Sequence, residues 1–123
     1  MKRPAALRNA IVQLWSDASA ERLAALRSLH SLAVDMGDIR SAQPRLVACL
    51  VDESAQVREA ALDVLEYRAD MGADIGIAVP QLLTMQHDPD PDTQRKVRSA
   101  LHCANQRLKG LLAKHLAGSE AEG

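Results

Sequence analysis

The sequence predicts an all-α protein made of helix pairs, and three observations carry that expectation: its composition, a repeat of about thirty-six residues, and glycines closing two of the predicted helices. Alanine (21) and leucine (17) supply 38 of the 58 hydrophobic residues, whereas valine and isoleucine total 12 and the aromatics are one Trp and one Tyr. Alanine and leucine are strong helix formers, and the β-branched and aromatic residues that favour strands are scarce. At 123 residues the chain is long enough for one buried core and too short for two.

The repeat sets the element boundaries. A shift of 36 places Pro44-Arg45-Leu46-Val47 over Pro80-Gln81-Leu82-Leu83 and Asp38-Ile39 over Asp74-Ile75. The same shift backward places Arg58, Ala60, Ala61, Leu62 and Leu65 over Arg22, Ala24, Ala25, Leu26 and Leu29, and Val47 and Leu50 over Ile11 and Leu14. Three units follow, over about 1–37, 38–72 and 73–117, each a first helix and a second helix.

The first helix of unit one is expected near 5–15, around Ile11 and Leu14, and its second near 19–35, closed by Gly37. Unit two repeats the pattern near 39–51 and 54–71, closed by Gly72. In unit three the first helix falls near 74–86, but Val97-Arg98-Ser99-Ala100 matches Val57-Arg58-Glu59-Ala60 only at a shift of 40. This suggests four residues inserted in the turn His87-Asp88-Pro89-Asp90-Pro91-Asp92, whose aspartates suit N-caps and whose Pro91 suits the first helical position. A long last helix, near 91–117, then closes the domain 1–117, and 118–123 read as a flexible tail.

The stretch Leu50-Val51-Asp52-Glu53-Ser54-Ala55-Gln56-Val57-Arg58-Glu59-Ala60-Ala61-Leu62, followed by Gly72 and Val79-Pro80-Gln81-Leu82-Leu83, resembles the HEAT-repeat family, in particular the short bacterial variety named after phycobilin lyases. The resemblance implies a right-handed α-solenoid of three HEAT-like pairs, about six helices, with the last helix as C-terminal cap. It also implies a ladder between repeats, built from a turn Asp and an Arg six residues later. Asp52 with Arg58 and Asp92 with Arg98 keep that spacing, whereas Arg22 has Ser16 six residues before it and Asp17 one residue late. A repeat fold implies stacking and binding surfaces rather than a chemistry.

On a helical wheel the second helix of unit two has an apolar arc from Tyr67 through Val64 and Val57 to Leu65. Its opposite face carries Glu59, Asp63, Glu66 and Asp70 in one stripe, which is either a solvated face or a docking surface for something basic. The matching positions are Leu23, Arg27, His30 and Val34 in unit one and, at the shift of 40, Ser99, Cys103, Gln106 and Gly110 in unit three. If second helices line the concave side, as the resemblance implies, the groove is acidic in the middle and partly basic at one end. Leu62 and Leu65 then correspond to His102 and Asn105, so the end of the array is expected to be polar, with Arg95, Arg98, Lys109 and Lys114 on or beside it.

Charge is banded: residues 1–45 sum to +3, 46–92 to −8 and 93–123 to +4, for a total of −1. The acidic middle and the lack of aromatic stacking groups argue against nucleic acid, which needs a continuous positive track. No segment approaches the roughly 18 apolar residues of a membrane span, and Arg8, Asn9 and Gln13 interrupt any signal-peptide core. Cys49 and Cys103 form no C-x-x-C pair and read as reduced thiols, which points to the cytoplasm.

Sites for chemistry are not apparent. His30, His87, His102 and His115 include no i, i+4 pair for zinc, and His102 and Cys103 point about 100° apart on one helix. Asp88, Asp90 and Asp92 mimic a calcium loop, but Thr93 stands where glycine belongs and Ser99 where the terminal Glu belongs. The expectation is therefore a non-catalytic adaptor without metal or cofactor. It binds a protein with a basic segment through Glu59, Asp63, Glu66 and Asp70, flanked by Arg27 and His30. The alternatives are a self-associating homodimeric module and an accessory subunit of a bilin-lyase-like enzyme.

Overall fold

The computed structural model describes the backbone of residues 2–122 and the side chains of 4–35 and 37–118. Its described residues form six α-helices and no strand: α1 (Lys2–Gln13), α2 (Ser19–Met36), α3 (Gln43–Cys49), α4 (Ala55–Asp70), α5 (Val79–Thr84) and α6 (Pro91–Glu122). The all-helical fold expected from composition is what the chain adopts. In the first helices of units two and three, short 3-10 turns at Arg40–Ala42 and Gly76–Ala78 precede α3 and α5. Each α-helix then carries a proline, Pro44 or Pro80, in its first turn, where a missing N–H is harmless. The sequence did not separate the 3-10 turn from the helix, because apolar spacing looks alike in both.

Each second helix packs against its own first helix, α1 on α2, α3 on α4 and α5 on α6, and the second helices pack on one another in the order α2, α4, α6. One continuous core results. Leu26 and Leu29 of α2, Leu46 and Leu50 beside α3, Leu62 and Leu65 of α4, and Leu82 of α5 are almost wholly buried in it, as is Val97 of α6. Each such side chain contributes about 1.5–3 kcal/mol relative to exposure.

The helix ends follow the expected chemistry. Gly37 (φ 78°) and Gly72 (φ 85°) take the left-handed conformation that L side chains disfavour. After α4 the Ala73 N–H donates to Arg68 O and the Gly72 N–H to Ala69 O, a Schellman closure. Asp90 caps α6: its Oδ2 accepts from the Thr93 N–H (3.4 Å) and hydroxyl (2.9 Å), with Pro91 first in the helix.

Polar links tie the helices together within and between units. Arg22 donates from Nε and Nη2 to both carboxylate oxygens of Asp52, at 2.8 and 3.0 Å, and from Nη1 to Ser16 O at 2.9 Å. Arg58 reaches back likewise to Asp52 O (2.6 Å), and Gln94 to Asp88 O (2.5 Å), each spanning six residues. Arg68, buried, donates to Gln43 Oε1 from Nε (3.1 Å) and Nη2 (2.9 Å), and Gln43 Nε2 donates on to Asp74 O (2.8 Å). Arg45 holds the end of the first unit, donating to Leu14 O (3.2 Å) and lying 4.0 Å over the Trp15 ring.

These links correct the register of the third unit. Arg22, Arg58 and Gln94 stand 36 residues apart and make the same backward bond, and α4 and α6 begin 36 residues apart, at Ala55 and Pro91. No residues are inserted in the turn. A slip from 36 to 40 adds about one helical turn and rotates the pattern by only about 40°, so apolar periodicity cannot distinguish the two. Burial can: Thr93, Val97 and Ala100 are inward, matching Val57, Ala61 and Val64.

One further expectation changes with the register. Asp92 and Arg98 form no rung; Asp92 pairs with Arg95 and Lys96, and Arg98 is exposed. Independently of the register, the backbone of α6 stays helical past the expected end at Ala117, to Glu122; Gly123 lies outside the described residues.

Candidate functional site

In the 36-residue register, four positions along the second helices form columns. These are Leu23, Glu59 and Arg95; Arg27, Asp63 and Ser99; His30, Glu66 and His102; and Val34, Asp70 and Gln106. The third member of each column replaces the Ser99, Cys103, Gln106 and Gly110 expected from the shift of 40. The α2–α4–α6 packing opens two adjoining clefts along these columns. One, of about 510 Å³, is lined by Arg27, His30, Glu59 and Asp63 with Leu23 and Leu26 at its base. The other, of about 430 Å³, is lined by His30, Asp63, Glu66, Tyr67, Asp70 and Ser99. All six residues singled out in the sequence therefore converge on one continuous face. His30 stands at the junction, its ring edge-on to Tyr67 at 5.3 Å and 88°.

The electrostatics of this face differ from the sequence expectation. Lys96 Nζ lies 2.6 Å from Asp63 Oδ1 and 3.2 Å from Asp92 Oδ2, with only 16% of its side chain exposed. Arg95 bridges Asp92 (3.0 Å) and Glu66 (3.8 Å). The middle of the acidic stripe is thus opposed by two cations of the next unit, and Arg95 faces the groove rather than the end of the array. A 36-residue alignment would have revealed this, because it sets Arg95 and Lys96 level with Glu59 and Ala60. The hydrogen bond to Asp63, with help from Asp92, raises the Lys96 ammonium above the usual lysine range. Hydrogen bonds from Arg95 and then Lys96 hold Asp92 below the usual carboxylate range. Glu59, Asp70 and Arg27 enter no salt bridge among the described residues.

Both clefts are open; Ser31 lines the first and Ser99 the second, with no side-chain hydrogen bond from either hydroxyl to His30 among the described residues. His102 lines a separate cleft at the end of the stack, while Cys103 packs on the core. Burial pushes the Cys49 thiol above its ordinary range, away from the reactive thiolate. No group of three His, Cys, Asp or Glu is placed to hold a metal ion among the described residues. Asp88 and Asp90 instead accept backbone N–H bonds of their own turn. No described helix is long and apolar enough to cross a membrane.

Residues 45–65 match a family model described as a HEAT repeat associated with sister chromatid cohesion. The matched span runs from α3 through the Asp52 turn into α4, one helix–turn–helix of the stack. It supports a HEAT-type repeat over that region, and not the bacterial lyase-type variety that the sequence resembles. No curated protein and no solved structure matches the chain. The class that fold and match define is an all-helical protein carrying a HEAT-like repeat.

Proposed function

We propose that the chain is a small non-catalytic adaptor, a right-handed HEAT-like α-solenoid of three helix pairs that binds another protein through the face of its second helices. The observation that carries this reading is the convergence of Arg27, His30, Glu59, Asp63, Glu66 and Asp70 on two adjoining clefts, with Glu59 and Asp70 outside any ion pair among the described residues. Asp63 and Glu66 are engaged by Lys96 and Arg95, so the contacts offered to a basic segment are chiefly Glu59 at one end and Asp70 three helical turns further on. Leu23 and Val34, at the matching positions of α2, supply apolar contact beside them. The match to a HEAT repeat agrees with an interaction module. The two cysteines, which form no C-x-x-C pair, support a cytoplasmic adaptor, and the acidic middle of the chain supports a protein partner rather than a nucleic acid.

The test is affinity capture from native-source lysate at low and raised salt, comparing the wild-type chain with Glu59→Gln/Asp70→Asn. A protein held by wild type, released by salt and lost from the variant is the expected result. Equal capture by both versions would remove the groove from the account.

A further inference from the structure

The stack has two unlike ends. Within it, each second helix presents leucines to the next pair: Leu26 of α2 lines a cleft with Gln56 and Ala60 of α4, and Leu62 of α4 lines one with Met85 and Thr93. Thirty-six residues on from Leu62 and Leu65 stand Arg98 and Leu101, which with Val79, Leu83 and Leu108 line an open cleft of about 500 Å³ at the end of the stack. The sequence expectation put His102 and Asn105 at this end through the shift of 40; both do line the cleft, but the positions that follow Leu62 and Leu65 are held by Arg98 and Leu101. The end surface is mostly apolar, with Gln86, Arg98, His102 and Asn105 around its leucines, and it continues the interface that joins the earlier units.

Its apolar stripe is long. Leu101, Leu108, Leu112 and Leu116 fall within about 80° of one another around α6, and their rise is roughly 22 Å. Leu108, Leu112 and Leu116 are 55%, 53% and 61% exposed. Arg98 and Lys109 edge this stripe, and no acidic residue occurs between Asp92 and Glu120.

We propose that this end face is a docking site for a helix of another protein whose apolar stripe is edged with carboxylates. Charge complementarity selects that occupant. The molecule already contains the pairing, because α4 meets α6 with Asp63 and Glu66 against Lys96 and Arg95 beside an apolar seam. A second copy fits poorly. Face-to-face pairing sets Arg98 and Lys109 near their own kind, and the opposite end of the stack offers exposed Glu21 and Ser28 where α4 buries Val57 and Val64.

The experiment uses the full chain and a labelled helical peptide of about 18 residues with a leucine stripe edged by glutamate, long enough for the roughly 22 Å face. Saturable binding is expected, weakened by salt and by about tenfold or more in Leu83→Ser/Leu108→Ser and, separately, in Arg98→Glu/Lys109→Glu. All four residues are exposed, so circular dichroism should match wild type. Absent binding, or binding unchanged in both variants, overturns the proposal. So does a dimer in sedimentation equilibrium that the leucine variant dissolves, which assigns the face to a second copy, or anionic-vesicle binding lost in that variant, which assigns it to a membrane. Failure of the groove reading is seen separately, with a lysine-edged peptide and the Glu59/Asp70 variant.

Discussion

Arg22 of the first helix pair holds both carboxylate oxygens of Asp52 in the turn of the second, at 2.8 and 3.0 Å, with 7% and 10% of the two side chains exposed. The fork geometry fixes distance and direction together, so it sets how one unit sits on the next. Asp52 also accepts the Ser54 N–H at 2.9 Å, ordering the turn from which α4 starts. Replacing one member of a buried pair leaves the other charge without a counterion. Asp52→Asn is therefore expected to cost about 3 kcal/mol in urea unfolding. Glu53→Gln, altering a side chain that is 88% exposed and 3.9 Å from Arg22, should change stability little.

The same pair predicts an acid limb. Burial resists ionisation of Asp52, yet the hydrogen bonds from Arg22 and the Ser54 N–H and the Arg22 charge outweigh it and hold its pKa below the ordinary value. The unfolded chain then binds the proton at higher pH than the folded one. The stabilisation is complete above the ordinary carboxylate pKa, about 4, and is lost as pH falls through the lower folded value. Unfolding midpoints measured between neutral and strongly acid pH should fall steeply below about pH 4 in wild type. Asp52→Asn should flatten that fall.

Gln43 is expected to matter as much as a core leucine. Its side-chain oxygen takes two hydrogen bonds from buried Arg68 and its amide donates to Asp74 O, so one residue joins two units. Gln43→Leu should cost about 2–3 kcal/mol, because the guanidinium keeps its charge and loses its main acceptor. Changing Arg68 to Leu in the same chain should recover part of that loss. Additive losses in a double-mutant cycle would contradict the link.

Much of this was legible before any coordinates. Gly37 and Gly72 marked helix ends because only a left-handed residue closes a helix so tightly, and Leu26, Leu62 and their neighbours marked the core by spacing. The four-carboxylate stripe lies where its i, i+4 pattern placed it. The register of α6 was misread because Val97-Arg98-Ser99-Ala100 mimics Val57-Arg58-Glu59-Ala60 one helical turn out of phase. That slip hid the cations opposite the stripe, and it hid the leucines, Leu101 and Leu108, that share the end of the stack with His102 and Asn105. Gln94 was the available clue: it stands 36 residues after Arg58 and makes the same bond with a different side chain.

Pairing divides the stripe into unequal halves. Asp63→Asn should cost less than about 1 kcal/mol, as expected for a partly exposed pair, and should leave Lys96 with Asp92 as its remaining partner. Its effect on binding a basic ligand should be smaller than that of Glu59→Gln or Asp70→Asn, whose carboxylates pair with no cation among the described residues. Affinities of the three single variants for one lysine-edged peptide give the order. A larger loss in Asp63→Asn than in the other two would contradict the division.

The most direct test of the account is a titration of a lysine-edged, leucine-striped helical peptide into the wild-type chain and into Glu59→Gln/Asp70→Asn, each at low and raised salt. The account predicts saturable binding to wild type, weakened about tenfold by the substitutions and comparably by salt, with unchanged helicity. Equal affinity for both proteins, insensitive to salt, would contradict it.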